Sequence, residues 1–389
     1  MKRFFLLLTI CCPLLFFCGC RNIDLSGGNG VSVMDFGAKG DGVTDDTAAI
    51  QAAINFMSAR GGGKIRFPYT PKGYRVAGAA VETVDGKPCR GQLYIPPVSS
   101  NIEFEGEMPC QLLYTYQVRP PAHGKQNLGT TRFGTMRALN TYIFSDWDAP
   151  EIRDPGERPY ALLATVQGSS GAGKFSTTQV SITNLEFRVK LHKDRMYPTQ
   201  SAVNLQNASR ICVRSSQFCL DDNVGDYYLK KELQPNPCHT AGLIASGDQN
   251  DHQVIDNVAV QGFRYGFVFG EHINAAYLYV HNCENGIVFM DSTHLSLINH
   301  VVAQHNQKVV VAGENGLFGM KSHQIYVVIN GIDLEAGLGS VPVVSRMTHG
   351  LWDPENRFRG SIKWHVGGPP GFVYFPIEGG KNIKCSRVL

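Results

Sequence analysis

Three acids follow aliphatic runs at nearly constant steps. LIASGD ends at Asp248, FVFGE at Glu271 and IVFMD at Asp291, and VVVAGE extends the series to Glu314. If each run is one rung of a stacked parallel coil, rungs about 4.8 Å apart place these acids about 5 Å and about 10 Å from one another. Such distances span the carboxyl separations of both retaining and inverting glycosidases. Like charges held this close raise one another's pKa, which supplies a general acid near neutral pH. His252 and His272 follow two of the acids, in GDQNDH and GEH, where an imidazole beside a carboxylate can act as a base or sugar contact. The structural alternative is that acids after glycine cap turns by accepting backbone hydrogen bonds.

A second constellation is basic. Lys190, His192, Lys193 and Arg195 lie in RVKLHKDRMYPTQ, with Tyr197 in the same run and Tyr227 and Tyr228 in DNVGDYYLKKELQPNPCHT. Cations of this kind bind the carboxylates of an acidic polysaccharide, and tyrosines stack on sugar rings. Proton abstraction beside a uronate needs a base together with a cation, or bound calcium, to neutralise the carboxylate. Charged loops are otherwise simply solvated. Asp221 and Asp222 close SRICVRSSQFCLDD, a strand-like run ending in paired carboxylates, with turn capping as the alternative role. GSSGAGKF, residues 168–175, is nearly a phosphate-binding loop. Phe175 replaces the magnesium-binding hydroxyl, and the following TTQVSITNLEF is a strand pattern, so it reads as a glycine-rich turn.

The elements that position these residues repeat. Each acid-terminated run is followed by a second β-rich run: VIDNVAV, AYLYVHN, INHVVAQ and QIYVVIN. A period of about 20 to 25 residues built from short β-branched and aromatic runs suits a parallel solenoid whose coils share one apolar column. Earlier coils show as VSITNLEF and RICVRSSQF, interrupted by irregular insertions at 188–200 and 222–240; residues near 77 to 160 are also less regular. From Ser345 the pattern is expected to give way to a C-terminal cap containing Trp352, Trp364 and GGPPG.

The N-terminal run MDFGAKGDGVTDDTAAIQAAI compresses a strand end, a glycine turn at Gly40 and Gly42, and a helix start. Thr44 is the expected cap, and Asp45 and Asp46 put negative charge on the first turn. Ala49, Ile50, Ala53, Ile54 and Met57 form one apolar face, Gly61 to Gly63 end the helix, and KIRFP with Tyr74 and Val76 begin the strands. These aspartates read as structural, because the run lacks the ligand ladder of a calcium loop. The run resembles the signature of the pectate-lyase-like superfamily, which includes polygalacturonases, polysaccharide lyases and phage tailspike depolymerases. That resemblance implies a right-handed parallel β-helix whose first helix covers the open end of the stack. It also makes the element ending in Asp221 and Asp222 similar to the paired-aspartate element of polygalacturonases. The chain departs from that pattern at PTQS before Ser201, at His239 in CHTAG, and in lacking a following Arg-Ile-Lys.

Composition agrees with a β-rich chain: 389 residues, 42 glycines and 18% charged residues. A formal net charge of +3 without basic runs interleaved with aromatics argues against nucleic acid. MKRFFLLLTICCPLLFFCGC reads as an export leader whose end resembles a lipobox, with Cys20 as the lipidation site and ordinary secretion as the alternative. Seven later cysteines are odd in number and lack zinc spacing, so no metal is expected, and Cys212, Cys219 and Cys283 read as buried apolar thiols.

The expected fold is therefore an all-β, right-handed, single-stranded parallel β-helix with an N-terminal capping helix. Residues 1–20 form the lipoprotein leader, 21–30 a tether, and 31–389 one domain whose cap begins near 345. Hydrolysis of a polysaccharide by paired carboxylates is the first functional expectation, and β-elimination on a uronate polymer is the alternative. A non-catalytic glycan-binding or structural surface protein is the third. The implied partners are a polysaccharide, acidic if the basic loop binds it, and a membrane through the lipid anchor of a bacterial cell-envelope protein, as monomer or trimer. No cofactor is implied beyond calcium in the case of a lyase.

Overall fold

The computed structural model describes residues 30–97, 101–107, 140–167, 178–191, 197–220, 236–245, 253–290, 293, 296–304, 306–312, 316–320, 325–335, 341–345, 358–367 and 383–387. The leader and Cys20 lie outside them. Two long sheets, here called A and B, are wound from alternate strands. The chain passes from Gln253–Gln261 in A to Tyr265–Phe269 in B, back to Ile273–His281 in A and on to Asn285–Phe289 in B. Among the described strands, pairing between successive coils is parallel in both sheets; the exception is the hairpin of Val81–Val84 with Lys87–Ile95 at the edge of B. Asp85 and Gly86 turn it, both at positive φ, as a two-residue hairpin loop requires. The chain is a parallel β-helix, and parallel crossovers within one sheet are right-handed almost without exception.

The register explains the repeat seen in the sequence. In sheet B, Ala245 pairs with Phe269, Phe269 with Phe289 and Phe289 with Ala312, so each coil advances by nearly the same step as the acid series. Earlier coils are longer: Ala161 pairs with Ser201, and Val203 with Leu243, because the insertions sit there. The shared interior is one column, Val213, Ile255, Ala275, Ile298 and Ile329, aligned rung on rung and buried. Each large aliphatic side chain so buried contributes about 2 kcal/mol. Gly266 lies within sheet B, where a Cβ would come within 2.3 Å of the Gly286 carbonyl oxygen on the next rung.

Sheet A bends within three successive coils. Asn184, Ser215 and Asn257 occupy aligned positions on three coils and all have positive φ, the conformation that short polar side chains tolerate. Beyond the bend, Glu186–Val189 and the second half of Arg210–Leu220 continue as a separate ladder with Tyr142–Ser145 and Tyr74–Val76.

At the N-terminus the helix spans Thr47–Ala59 and buries Ile50, Ala53, Ile54 and Met57. It packs on Gly63–Phe67 and Lys87–Ile95. Its start differs from the sequence expectation. Thr44 is engaged by Asp41, which accepts from the Thr44 amide and hydroxyl, so the helix begins after Asp46, and Asp45 accepts from the Thr47 amide. Asp46 instead accepts from the amides of Lys39 and Gly40 at 2.6 and 3.0 Å, clamping the loop before the helix. Two further corrections follow. Arg188 and Val189 belong to a strand rather than to the insertion expected from 188 onward. The stretch expected to form a C-terminal cap contains two more parallel strands of sheet A, Phe358–Gly367 and Ile383–Arg387.

Candidate functional site

Residues two apart on a strand share a face, so the outward side of the ladder beyond the bend is fixed by its inward one. Phe187 and Val189 point into the core, which places Glu186 and Arg188 outward. Glu186 pairs with Tyr142 on one side and Gln217 on the other, and Arg188 with Phe144 and Cys219. Glu186 and Arg188 are nonetheless buried. The Glu186 carboxylate accepts from Arg188 Nε at 2.7 Å and Nη2 at 3.3 Å, from Asn140 Nδ2 at 2.7 Å and from Cys219 Sγ at 3.0 Å. The guanidinium carbon lies 3.4 Å from the centre of the Tyr142 ring, and that ring rests on Gly73, where a Cβ would approach it to 2.2 Å. A buried ion pair is costly to assemble and holds only where its geometry is good and its remaining hydrogen bonds are satisfied.

Immediately beyond Arg188, Lys190 Nζ bonds Asp146 Oδ1 at 2.6 Å, while Arg75 Nη2 meets Asp146 Oδ2 at 2.6 Å. Lys190 first, and Arg75 with it, hold the Asp146 carboxyl below the usual carboxylate range. The cations Arg75, Arg188 and Lys190 thus share one patch with the carboxylates of Asp146 and Glu186. Each of the three cations is engaged by a carboxylate of the patch, so their positions are fixed.

Two other sequence-expected residues fall elsewhere. Glu271 and His272 form the turn between Tyr265–Phe269 and Ile273–His281, with Glu271 buried and His272 at positive φ. The nine-residue strand that follows separates that corner from the one after Arg188. Tyr197 is buried and donates its hydroxyl to Glu151 Oε1 at 2.6 Å, so it does not present an open ring to a sugar. Asp221, Asp222, Asp248, His252, Asp291, His192, Lys193, Arg195, Tyr227 and Tyr228 lie outside the described residues. Asp221 and Asp222 follow directly on Leu220, which pairs with Val189 beside Lys190. Asp248 stands three residues past its paired strand end, and Glu271 and Asp291 stand two past theirs.

His239 belongs to a third corner. Its Nδ1 is 2.9 Å from the Tyr265 hydroxyl, and its Nε2 is 3.2 Å from Arg264 Nη1. Burial, and then the Arg264 charge, push its pKa down to about 4, so the ring is neutral and Nε2 accepts. Among the described residues no group of His, Cys, Asp or Glu is arranged to hold a metal ion.

Sequence reasoning misses Glu186, Arg188 and Tyr142. The available signal is E-F-R-V, in which opposite charges two apart on a strand must share its face. Cys219, expected to be an apolar thiol, donates to a carboxylate instead.

Comparison with known proteins adds the family. A family model described as rhamnogalacturonase A/epimerase, pectate lyase-like, matches residues 30–81. Residues 30–81 carry the pectate-lyase-like signature. Among curated relatives of this β-helix protein, mannuronan C5-epimerase AlgE1 of Azotobacter vinelandii is 59% identical over 56 residues, 14% of this chain and 4% of the epimerase. Alginate lyase 7 of the same organism is 57% identical over 56 residues, 14% of this chain and 6% of the lyase. The matches therefore span a small part of either relative. The A-module of mannuronan C5-epimerase AlgE6 from Azotobacter vinelandii aligns with 92% of this chain and 98% of its own, at 16% identity and a TM-score of 0.28.

Proposed function

We propose that this chain modifies a uronate-containing polysaccharide by removing the proton beside the sugar carboxylate, as a lyase or an epimerase. The observation that carries this reading is the Arg188–Lys190–Arg75 patch on the outward face of sheet A. The curated relatives named as epimerases and as an alginate lyase support elimination chemistry over the hydrolysis first expected. A C5 proton becomes removable only when the neighbouring carboxylate is neutralised, and preorganised cations in a dry site do this without reorganising. Arg188 is held for that task from two sides, by Glu186 and by the Tyr142 ring. Lys190 and Arg75 sit at the edge of the patch, both held by Asp146. The base is assigned to the segments following Val189 and Leu220, where the sequence offers His192, Asp221 and Asp222. Loss of the C5 proton followed by departure of the C4 substituent gives an unsaturated sugar, and return of a proton to the opposite face gives the epimer.

The two carboxylates of the patch are not placed to act as the general acid of a hydrolase. A glycosidase needs one protonated carboxyl, yet Asp146 is held ionised by Lys190 and both Glu186 oxygens already accept hydrogen bonds. The test is product analysis of the purified chain with alginate, polygalacturonate and a neutral glucan. Ultraviolet absorption from unsaturated ends, or a changed C5 configuration by proton NMR, is the expected result with an acidic polymer. New saturated reducing ends alone would establish a hydrolase and overturn the proposal.

A further inference from the structure

Three rungs further along the same face, the outward side chains change from charged to aromatic. The column that begins at Glu186 continues through Gln217 and Ala259 to Tyr279, roughly 14 Å away at the rung spacing. Tyr277, two residues earlier on the same strand, lies with its ring centre 4.7 Å from that of Tyr279. It is also stacked on His300 of the next rung, at 4.6 Å with the planes 21° apart. All three rings are partly exposed. Exposed amides border them: Asn274 on the Tyr277 strand, and Asn299 and Asn330 on the following rungs, where Asn330 Nδ2 donates to Asn299 Oδ1 at 2.9 Å. Gly331, beside His300, adds no side chain, and a Cβ there would come no nearer than 3.6 Å to His300 Nδ1.

We propose that Tyr277, Tyr279 and His300 form a distal sugar-binding rail on the same face, which holds the polymer about three sugar units from the Arg188 patch. Partly exposed rings with an amphipathic edge bind the apolar faces and hydroxyl rims of pyranoses, and the bordering amides supply donors and acceptors to sugar hydroxyls. The rung repeat is close to the length of one unit in an extended 1,4-linked chain, so a polymer lying along the helix axis meets the patch and the rail together. The rail rests on the reading of Arg188 only for its direction. Its own chemistry is recognition of a neutral sugar surface, which acidic and neutral glycans share.

The experiment compares wild type with Tyr277→Ala, Tyr277→Leu and Tyr277→Phe. Affinity electrophoresis in gels containing alginate, polygalacturonate or a neutral glucan measures binding, and turnover of alginate oligomers of defined length measures KM. Tyr277→Leu retains apolar bulk should the alanine variant fail to fold, and circular dichroism identifies the folded variants. The expected result is an about tenfold weaker retention and higher KM for long chains in Tyr277→Leu, with little change for di- and trisaccharides and with Tyr277→Phe near wild type. Equal KM at every length, or no glycan retained by wild type, overturns the rail. Tyr277-dependent retention of a glycan by a protein that turns over no uronate supports the rail and overturns the proposed reaction.

Discussion

The N-terminal segment 30–81 and the outward face around Arg188 use charged residues in opposite ways. In the first, carboxylates serve the backbone: Asp41 and Asp46 take amide hydrogens of the turns before the helix. In the second, Glu186 accepts from the side chains of Arg188, Asn140 and Cys219, and it fixes a cation rather than a loop. The family match covers the first region and, of the three cations of the second, takes in Arg75 alone. The signature thus covers the start of the coil stack, while Arg188 and Lys190 of the proposed site lie beyond it. The two regions touch where Gly73 lies beneath Tyr142 and where Arg75 meets Asp146.

The largest effect is expected at the buried pair. Arg188→Met leaves the Glu186 carboxylate without its cation, costing about 3–5 kcal/mol in urea unfolding. The double variant Glu186→Gln with Arg188→Met should recover to within about 1 kcal/mol of wild type while remaining inactive. Recovery of activity in the double variant would show that the pair is only structural.

Gly73→Ala tests the join. A methyl group there meets the Tyr142 ring and sits at φ +69, so about 2–4 kcal/mol should be lost. Turnover by the protein that remains folded should fall as well. Unchanged turnover would detach the first region from the second.

Asp46→Ala addresses the first region alone. It strands the Lys39 and Gly40 amides and should cost about 2 kcal/mol, and turnover by the folded fraction should be unaltered. A loss of turnover at equal folding would show that the clamp reaches the site.

The smallest effect concerns pH. His239 titrates at about 4 in the fold against an ordinary 6.5, so its contribution is complete above 6.5 and is lost as pH falls toward 4. Between pH 7 and pH 4 wild type should lose about 2 kcal/mol more stability than His239→Phe. Parallel curves for the two proteins would remove His239 from the acid response.

Much of the architecture is readable because late coils are short. In sheet B the steps from Ala245 to Phe269, to Phe289 and to Ala312 are nearly equal, which keeps the aliphatic runs in phase, and the αL glycines of the first turn are spelled out in the sequence. The site is less legible for the converse reason. Tyr142, Glu186 and Gln217 are adjacent in space, yet the chain steps between them are unequal and longer than the steps from Ala245 to Ala312 in sheet B, so no period connects them. Arg188 reads as the start of an insertion when charge is equated with loop, although alternation with Phe187 and Val189 marks a strand. The acid series draws attention instead because its spacing is regular, and that regularity follows from the coil whatever role the acids have.

On the reading proposed above, the Arg188 patch enables removal of the C5 proton of a uronate. Alginate deuterated at C5 tests it directly, because both elimination and epimerisation release that deuterium to water and hydrolysis does not. The account predicts release by wild type and none by the folded Glu186→Gln, Arg188→Met double variant. Chain cleavage with C5 deuterium retained, or release undiminished in the double variant, would contradict it.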